Sequence, residues 1–214
     1  MPPTRRYASA IRTEQTLRAR RRILAVAGQL FVRRGYLGTT LAAVATAADV
    51  SVQTVYNVVG GKPALLKAVY DVTLAGDDEP VPMAERPAFR AMLDATDGRD
   101  LLAQYAHLGR LLSERTLPLV TTVLAQAATG DADLAAFADT IESERALGTR
   151  ATARLVADRF GLREGLGVDE AADVLWAVTA PDLTDRLVNR RGWSWDSAER
   201  LIADLMASAL LGDR

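Results

Sequence analysis

From about Thr13 onward, the apolar residues of this 214-residue chain recur at the spacing of amphipathic helices. Ile23, Ala27, Leu30 and Phe31 stand at i, i+4, i+7 and i+8. They predict one helix, with Gly35 ending it as a left-handed cap. Leu41, Val44, Ala45 and Ala48 then repeat at i, i+3, i+4 and i+7, and Thr39 or Thr40 is placed to N-cap that second helix. Asp49 falls in a turn. Ser51 caps a third, short helix whose inward residues are expected to be Val52, Val55 and Val59, and Gly60-Gly61 breaks it. Pro63 suits the first turn of a fourth helix that runs to about Leu74.

Residues 76–87, rich in Asp, Glu and Pro, read as a linker. Beyond it the helical period returns. A short helix is expected to about Leu93, then a helix over 100–113 that Pro118 breaks or kinks before its continuation to near Ala128. A long helix follows over about 132–160, with Leu134, Phe137, Ile141 and Leu155 on its apolar side. Gly161, Gly165 and Gly167 mark a loop. Residues 169–188 are mostly helical with Pro181 as an interruption. A final helix over 196–211 places Leu201, Ile202, Leu205 and Leu210 on its face. No strand pattern, internal repeat or low-complexity tract emerges. The fold class expected is all-α: a three-helix head over 1–75, whose first 12 residues form a flexible arm, and a helical domain over 76–214.

Composition narrows this further. Aromatics are only 6%, so Ala, Leu and Val must fill most of the interior, which suits close helix–helix packing. Cysteine is absent, which excludes disulfides, thiolate metal sites and cysteine catalysis. One histidine, His107, cannot build a multi-histidine metal site. No apolar run reaches the roughly 18 to 20 residues of a membrane span. The amino terminus lacks the apolar core of a signal peptide, so a cytoplasmic protein is expected.

Charge is distributed unevenly. The whole chain carries a formal −1, yet its first 62 residues hold ten Arg or Lys against Glu14 and Asp49, a net +8, and leave −9 for the remainder. A basic head on an acidic body suits a polyanion at one end.

Residues 39–62 supply the chemistry. Helix, short turn and short helix follow one another at the spacing of a helix-turn-helix. A helix N-terminus presents unpaired N–H groups and a positive dipole end to phosphate, and Thr40 and Ser51 stand at two such ends. Gln53, Thr54 and Asn57 are the expected groove-facing residues. Gln and Asn pair with adenine through donor and acceptor together, and a Thr methyl touches thymine. Tyr56 offers a hydroxyl to phosphate and Lys62 a point charge. The competing reading is a solvated polar helix face. Arg5, Arg6 and Arg12 are placed to follow the minor groove or to add nonspecific attraction.

Elsewhere the signals are weaker. Tyr105, His107 and Trp176 are candidate lining for a ligand pocket, each set against an ordinary packing role. Glu142 and Glu144 lie two apart on a helix and face different sides, so they form no carboxylate pair. No phosphate loop, catalytic triad or metal motif is present, and no cofactor is implied.

The head resembles the TetR family of transcriptional regulators. The resemblance rests on Gly35-Tyr36, Thr39-Thr40, Ala45, Ala48, Val50-Ser51, Thr54, Tyr56, and Lys62 with Leu65-Leu66. Two positions depart from the pattern. The turn glycine is Asp49, and Asn57-Val58-Val59 replaces the aromatic pair that follows the recognition tyrosine, so a phosphate contact at Val58 is not carried over. The tail resembles a subgroup of the family through residues 171–183 and Arg191-Gly192-Trp193.

The resemblance implies no enzyme. It implies a homodimeric repressor that binds double-stranded DNA at a near-palindromic operator and is released by a small-molecule effector; the Ala-, Leu- and Val-rich carboxy-terminal domain favours an apolar or amphipathic one. Pairing would run through about 169–188 and 196–211. The alternatives are an activator or ligand-independent regulator of the same fold, and a helical carrier or enzyme.

Overall fold

The structure, a computed structural model, describes residues 5–79 and 81–212, with side chains from Thr13 onward. Every regular element among the described residues is helical: α1 (Arg5–Arg34), α2 (Leu41–Ala47), α3 (Val52–Val58), α4 (Lys62–Ala75), α5 (Pro87–Leu93), α6 (Gly98–Ala127), α7 (Ala132–Phe160), α8 (Val168–Val178), α9 (Pro181–Asp185) and α10 (Trp195–Leu210). A short 3-10 turn, Met83–Glu85, precedes α5, and a π-helical turn, Arg186–Arg190, follows α9.

The expected arm needs correction. Residues 1–4 lie outside the described residues, but the backbone is already helical at Arg5. The segment after Pro3 contains no helix breaker, and extending a formed helix costs far less than nucleating one. The side chains of Arg5, Arg6 and Arg12, expected near a minor groove, lie outside the described side chains.

The chain divides into two compact units. One holds the described residues to Asp78 together with Pro118–Phe137; the other holds Glu79–Leu117 and Ala138–Arg214. In the first, α1 packs on α2, α3 and α4. Its predicted stripe is buried as expected: Ile23, Ala27, Leu30 and Phe31 lose nearly all solvent contact, beside Val44, Ala45, Val55, Leu65 and Leu66. Val52, expected inward, is 42% exposed, because α3 is two turns long and Val55 alone points straight at α1 and α2. Tyr70 meets Phe137 edge to face at 5.5 Å.

In the second unit, α8 packs on α10, and Met92, Leu101, Leu102, Val156, Leu175, Met206 and Leu210 share one core. Arg159 donates to the carbonyls of Leu93 and Ala95, both at 2.6 Å, and so satisfies the open C-terminal end of α5. Two expectations change here. Leu205 is 41% exposed, and the buried face of α10 is Ala198, Ile202, Met206, Ala207 and Leu210. Pro118 does not break its helix, for α6 runs unbroken from Gly98 to Ala127. Pro118 itself is exposed while Leu117, Leu119 and Val120 are buried, so their packing offsets the one backbone hydrogen bond that proline removes. Pro181 does interrupt, as expected: α8 stops at Val178 and α9 begins at Pro181.

Candidate nucleic-acid interface

Thr40 and Ser51 cap as expected. The Ala43 N–H donates to Thr40 Oγ1 at 3.1 Å and the Thr54 N–H to Ser51 Oγ at 3.0 Å. Each cap is worth about 1 kcal/mol. Thr39, the other capping candidate, is buried and donates instead to the Gly35 carbonyl at 2.8 Å, tying the α1–α2 turn to the end of α1.

The turn between α2 and α3 closes around Asp49. Its φ is +53°, the left-handed region where glycine usually sits. Val50 N–H donates to Ala45 O at 3.0 Å and Asp49 N–H to Thr46 O at 3.2 Å. That pair of bonds is a Schellman ending, which satisfies two of the last carbonyls of α2. The glycine-to-aspartate departure therefore keeps the turn.

On α3, Val55 is fully buried while Gln53, Tyr56 and Asn57 are exposed and Thr54 is half-buried at their edge. Gln53 Nε2 donates to Asn57 Oδ1 at 2.9 Å, so the two amides lie side by side on the outer face. Tyr56 leans toward the start of α4: a methyl group on Gly61 would stand 3.6 Å from its hydroxyl oxygen. The structure thus brings Ser51, Gln53, Thr54, Tyr56 and Asn57 onto one short helix, with Thr40 on the N-cap of the preceding one.

Lys62 departs from a freely projecting cation. Its Nζ lies 4.1 Å from the centroid of the Tyr36 ring. Burial lowers its ammonium below the usual lysine range, while Asp131 and Asp133 act in the opposite sense. Tyr36 is buried, stacks on Phe31 at 5.9 Å and donates its hydroxyl to Asp133 Oδ2 at 2.8 Å. Burial, then that hydrogen bond, raises its phenol above the ordinary tyrosine value. Gln126 reaches the same turn, where its Oε1 accepts from the Leu37 N–H at 3.3 Å. These partners lie 89 and 97 residues away, and no local pattern announces them.

Part of the basic head is also committed. Arg20 lies 3.5 Å and Arg21 4.0 Å from Asp78, and Arg18 pairs with Glu14 at 2.6 Å.

The three pocket candidates do not converge. Tyr105 on α6 is turned toward α7, and burial raises its phenol above the ordinary tyrosine value against the opposing effects of Thr152 and Arg145. His107 Nδ1 lies 3.2 Å from Glu199 on α10. Trp176 is 40% exposed, and the Arg145 guanidinium stands 5.3 Å from its ring centroid. A narrow cleft opens instead beside Ala106, Gly109 and Arg110 of α6, facing Thr184 of α9 and Glu199 of α10. Trp195, not Trp176, lines it. Sequence spacing pairs Arg110 with Glu114 on one helix; it carries no signal that Asp196 and Glu199 join them.

Among the described residues, no cluster of three or more His, Cys, Asp or Glu could hold a metal ion. Among them, too, no helix is long and apolar enough to cross a membrane.

Residues 23–69 match the model for bacterial regulatory proteins of the tetR family. No curated protein matches the chain. Among solved structures, the chain is similar to SmeT in its complex with triclosan, at 25% identity and a TM-score of 0.71, over 91% of this chain and 92% of that one. It is similar to a TetR transcriptional regulator from Chloroflexus aurantiacus, at 16% identity and TM-score 0.63, covering 92% and 98%. It is also similar to AibR in complex with isovaleryl coenzyme A and operator DNA, at 20% identity and TM-score 0.55, covering 89% and 97%. Residues 23–69 thus form a capped helix-turn-helix head of the kind found in bacterial regulatory proteins of the tetR family, and over nine-tenths of its length the chain shares the fold of solved TetR-family regulators.

Proposed function

We propose that the protein is a homodimeric repressor, cytoplasmic in location, that leaves a near-palindromic operator when a small apolar or amphipathic effector binds its carboxy-terminal helices. One observation carries the reading: α3 buries a single side chain, Val55, and turns Gln53, Tyr56 and Asn57 outward from capped backbone. An exposed face with two amides and few charges is poor at holding a fold together and well suited to base edges. Thr40 and Ser51 set two helix N-termini against phosphate, with Thr54, Tyr56 and Lys62 beside them. In a symmetric dimer, two such helices enter successive major grooves about 34 Å apart.

Pairing through residues 169–188 and 196–211 is supported by side chains that the single chain leaves uncovered, notably Trp176 and Leu205. A second copy covering them forms a four-helix arrangement of the kind helical proteins use for two-fold interfaces. Effector control is supported by the cleft in the second unit and by the ligands named for two relatives in fold, triclosan for SmeT and isovaleryl coenzyme A for AibR. Release requires that the effector bind the DNA-incompetent state more tightly; tight binding alone shifts nothing.

Deleting the gene and following a reporter driven by its adjacent promoter tests repression. Raised output supports a repressor; lost output means an activator of the same fold.

A further inference from the structure

The cleft between α6, α9 and α10 combines an apolar lining with unspent polar groups. Ala106, Gly109, Ala198 and Ile202 line it, and Trp195 forms part of its wall. Space is open where a Cβ on Gly109 would stand, so the missing side chain leaves room there. Thr184 lines the cleft and is only 6% exposed, yet its hydroxyl has no hydrogen-bond partner among the described residues. That is unusual within this molecule. Thr116, Thr122, Thr152 and Thr179 each donate to the carbonyl four residues back, as a helical threonine ordinarily does. Ser113, on the same cleft, is likewise without a partner. Both hydroxyls border the cleft and are open to a group placed in it.

Charge at the mouth decides the ligand's sign. Arg110 contacts three carboxylates: Glu114 at 2.8 Å, Glu199 at 3.0 Å, and Asp196. His107 adds a fourth group, on the other oxygen of Glu199. One guanidinium cannot neutralise three carboxylates, so this cluster carries a net negative charge. An anionic ligand would be repelled there, and a neutral one would gain little. A protonated amine gains charge-assisted hydrogen bonds from the carboxylates and attraction from an indole face.

We infer that this cleft binds a small cationic amphiphile, a protonated amine on an apolar body. The ammonium donates to Glu199 and Asp196 at the mouth and to the Thr184 hydroxyl. The hydrocarbon lies along Ala106, Gly109, Ala198, Ile202 and Trp195. This deepens the effector reading above and, for its regulatory meaning, rests on it.

Titration calorimetry of the full chain at neutral pH with hexylamine, hexanol and hexanoate tests the assignment. The three probes share one apolar body and differ in charge. Hexylamine is expected to bind about tenfold or more tighter than hexanol, with hexanoate weakest. Glu199→Gln should remove most of the preference for amine over alcohol, and Thr184→Val should weaken the amine several-fold while the thermal melt stays cooperative. Should Glu199→Gln fail to fold, Asp196→Asn at the exposed edge of the cluster serves in its place. Equal binding of the three probes, a preference for hexanoate, or no binding of hexylamine overturns the inference. Adding hexylamine to the protein–operator complex separates the two readings: an amine that binds and leaves DNA bound contradicts effector release and keeps the ligand class.

Discussion

Gln53 and Asn57 are hydrogen-bonded to each other on the outer face of α3. Each amide keeps a free donor hydrogen and a free acceptor lone pair for a base edge, so the bond between them positions the two residues together. Gln53→Ala or Asn57→Ala is expected to cost about 1 to 3 kcal/mol of discrimination at one operator position, with little loss on random DNA. Competition binding against single-base operator variants checks this; equal losses on operator and random DNA would take the residue out of the base-reading set.

Asp49 gives a prediction about stability alone. At φ +53° it pays for a conformation that glycine adopts freely. Asp49→Gly is expected to stabilise the head by about 0.5 to 1 kcal/mol, after the greater freedom of glycine in the unfolded chain is allowed for. Urea unfolding measures it, and a loss of stability would mean that the aspartate side chain supports the turn. The turn position, both caps and the outward amides were legible in the sequence, because each is set by neighbours three or four residues away. The seat of Lys62 on Tyr36 was not, because the sequence pattern shows a lysine's charge but not the ring it will cover.

At the scale of elements, periodicity located the helices well and misjudged only where local rule and packing compete. Pro118 is the clearest case. A proline inside a helical pattern predicts a break, yet the buried side chains around it keep α6 continuous. Pro118→Ala restores the missing N–H at an exposed position and is expected to raise stability by about 1 to 3 kcal/mol, read as a shift in the urea midpoint. No gain would show that the helix has already relaxed around the proline. Leu205 and Val52 illustrate a second limit: an apolar residue at helical spacing marks a face, but which face a helix buries depends on what packs against it. The early end of the arm has a similar cause, since helix propagation from α1 needs no tertiary signal.

For the whole molecule, the charge asymmetry was plain in the sequence, while the cleft was not. Of Tyr105, His107 and Trp176, which aromatic or titratable character alone singles out, only His107 joins the group that meets, where Arg110 and Glu114 face Asp196 and Glu199 across 86 to 89 positions. Assembly gives a prediction at this scale. Leu205 is exposed in the single chain and lies on the helix assigned to the two-fold interface. In the proposed homodimer, Leu205→Glu is expected to shift the assembly toward monomer in analytical ultracentrifugation, because a second copy would have to bury an unpaired carboxylate. An unchanged dimer would place the interface elsewhere.

The central claim is that this basic head reads a two-fold DNA sequence. The most direct measurement is a mobility shift and footprint of the purified protein on the intergenic DNA upstream of its own gene, at near-physiological salt with random DNA as competitor. The account predicts a shift that random DNA does not abolish and a symmetric protected region whose halves lie about one helical turn apart. Binding that random DNA competes away completely, or that vanishes steeply with salt without a footprint, would contradict it.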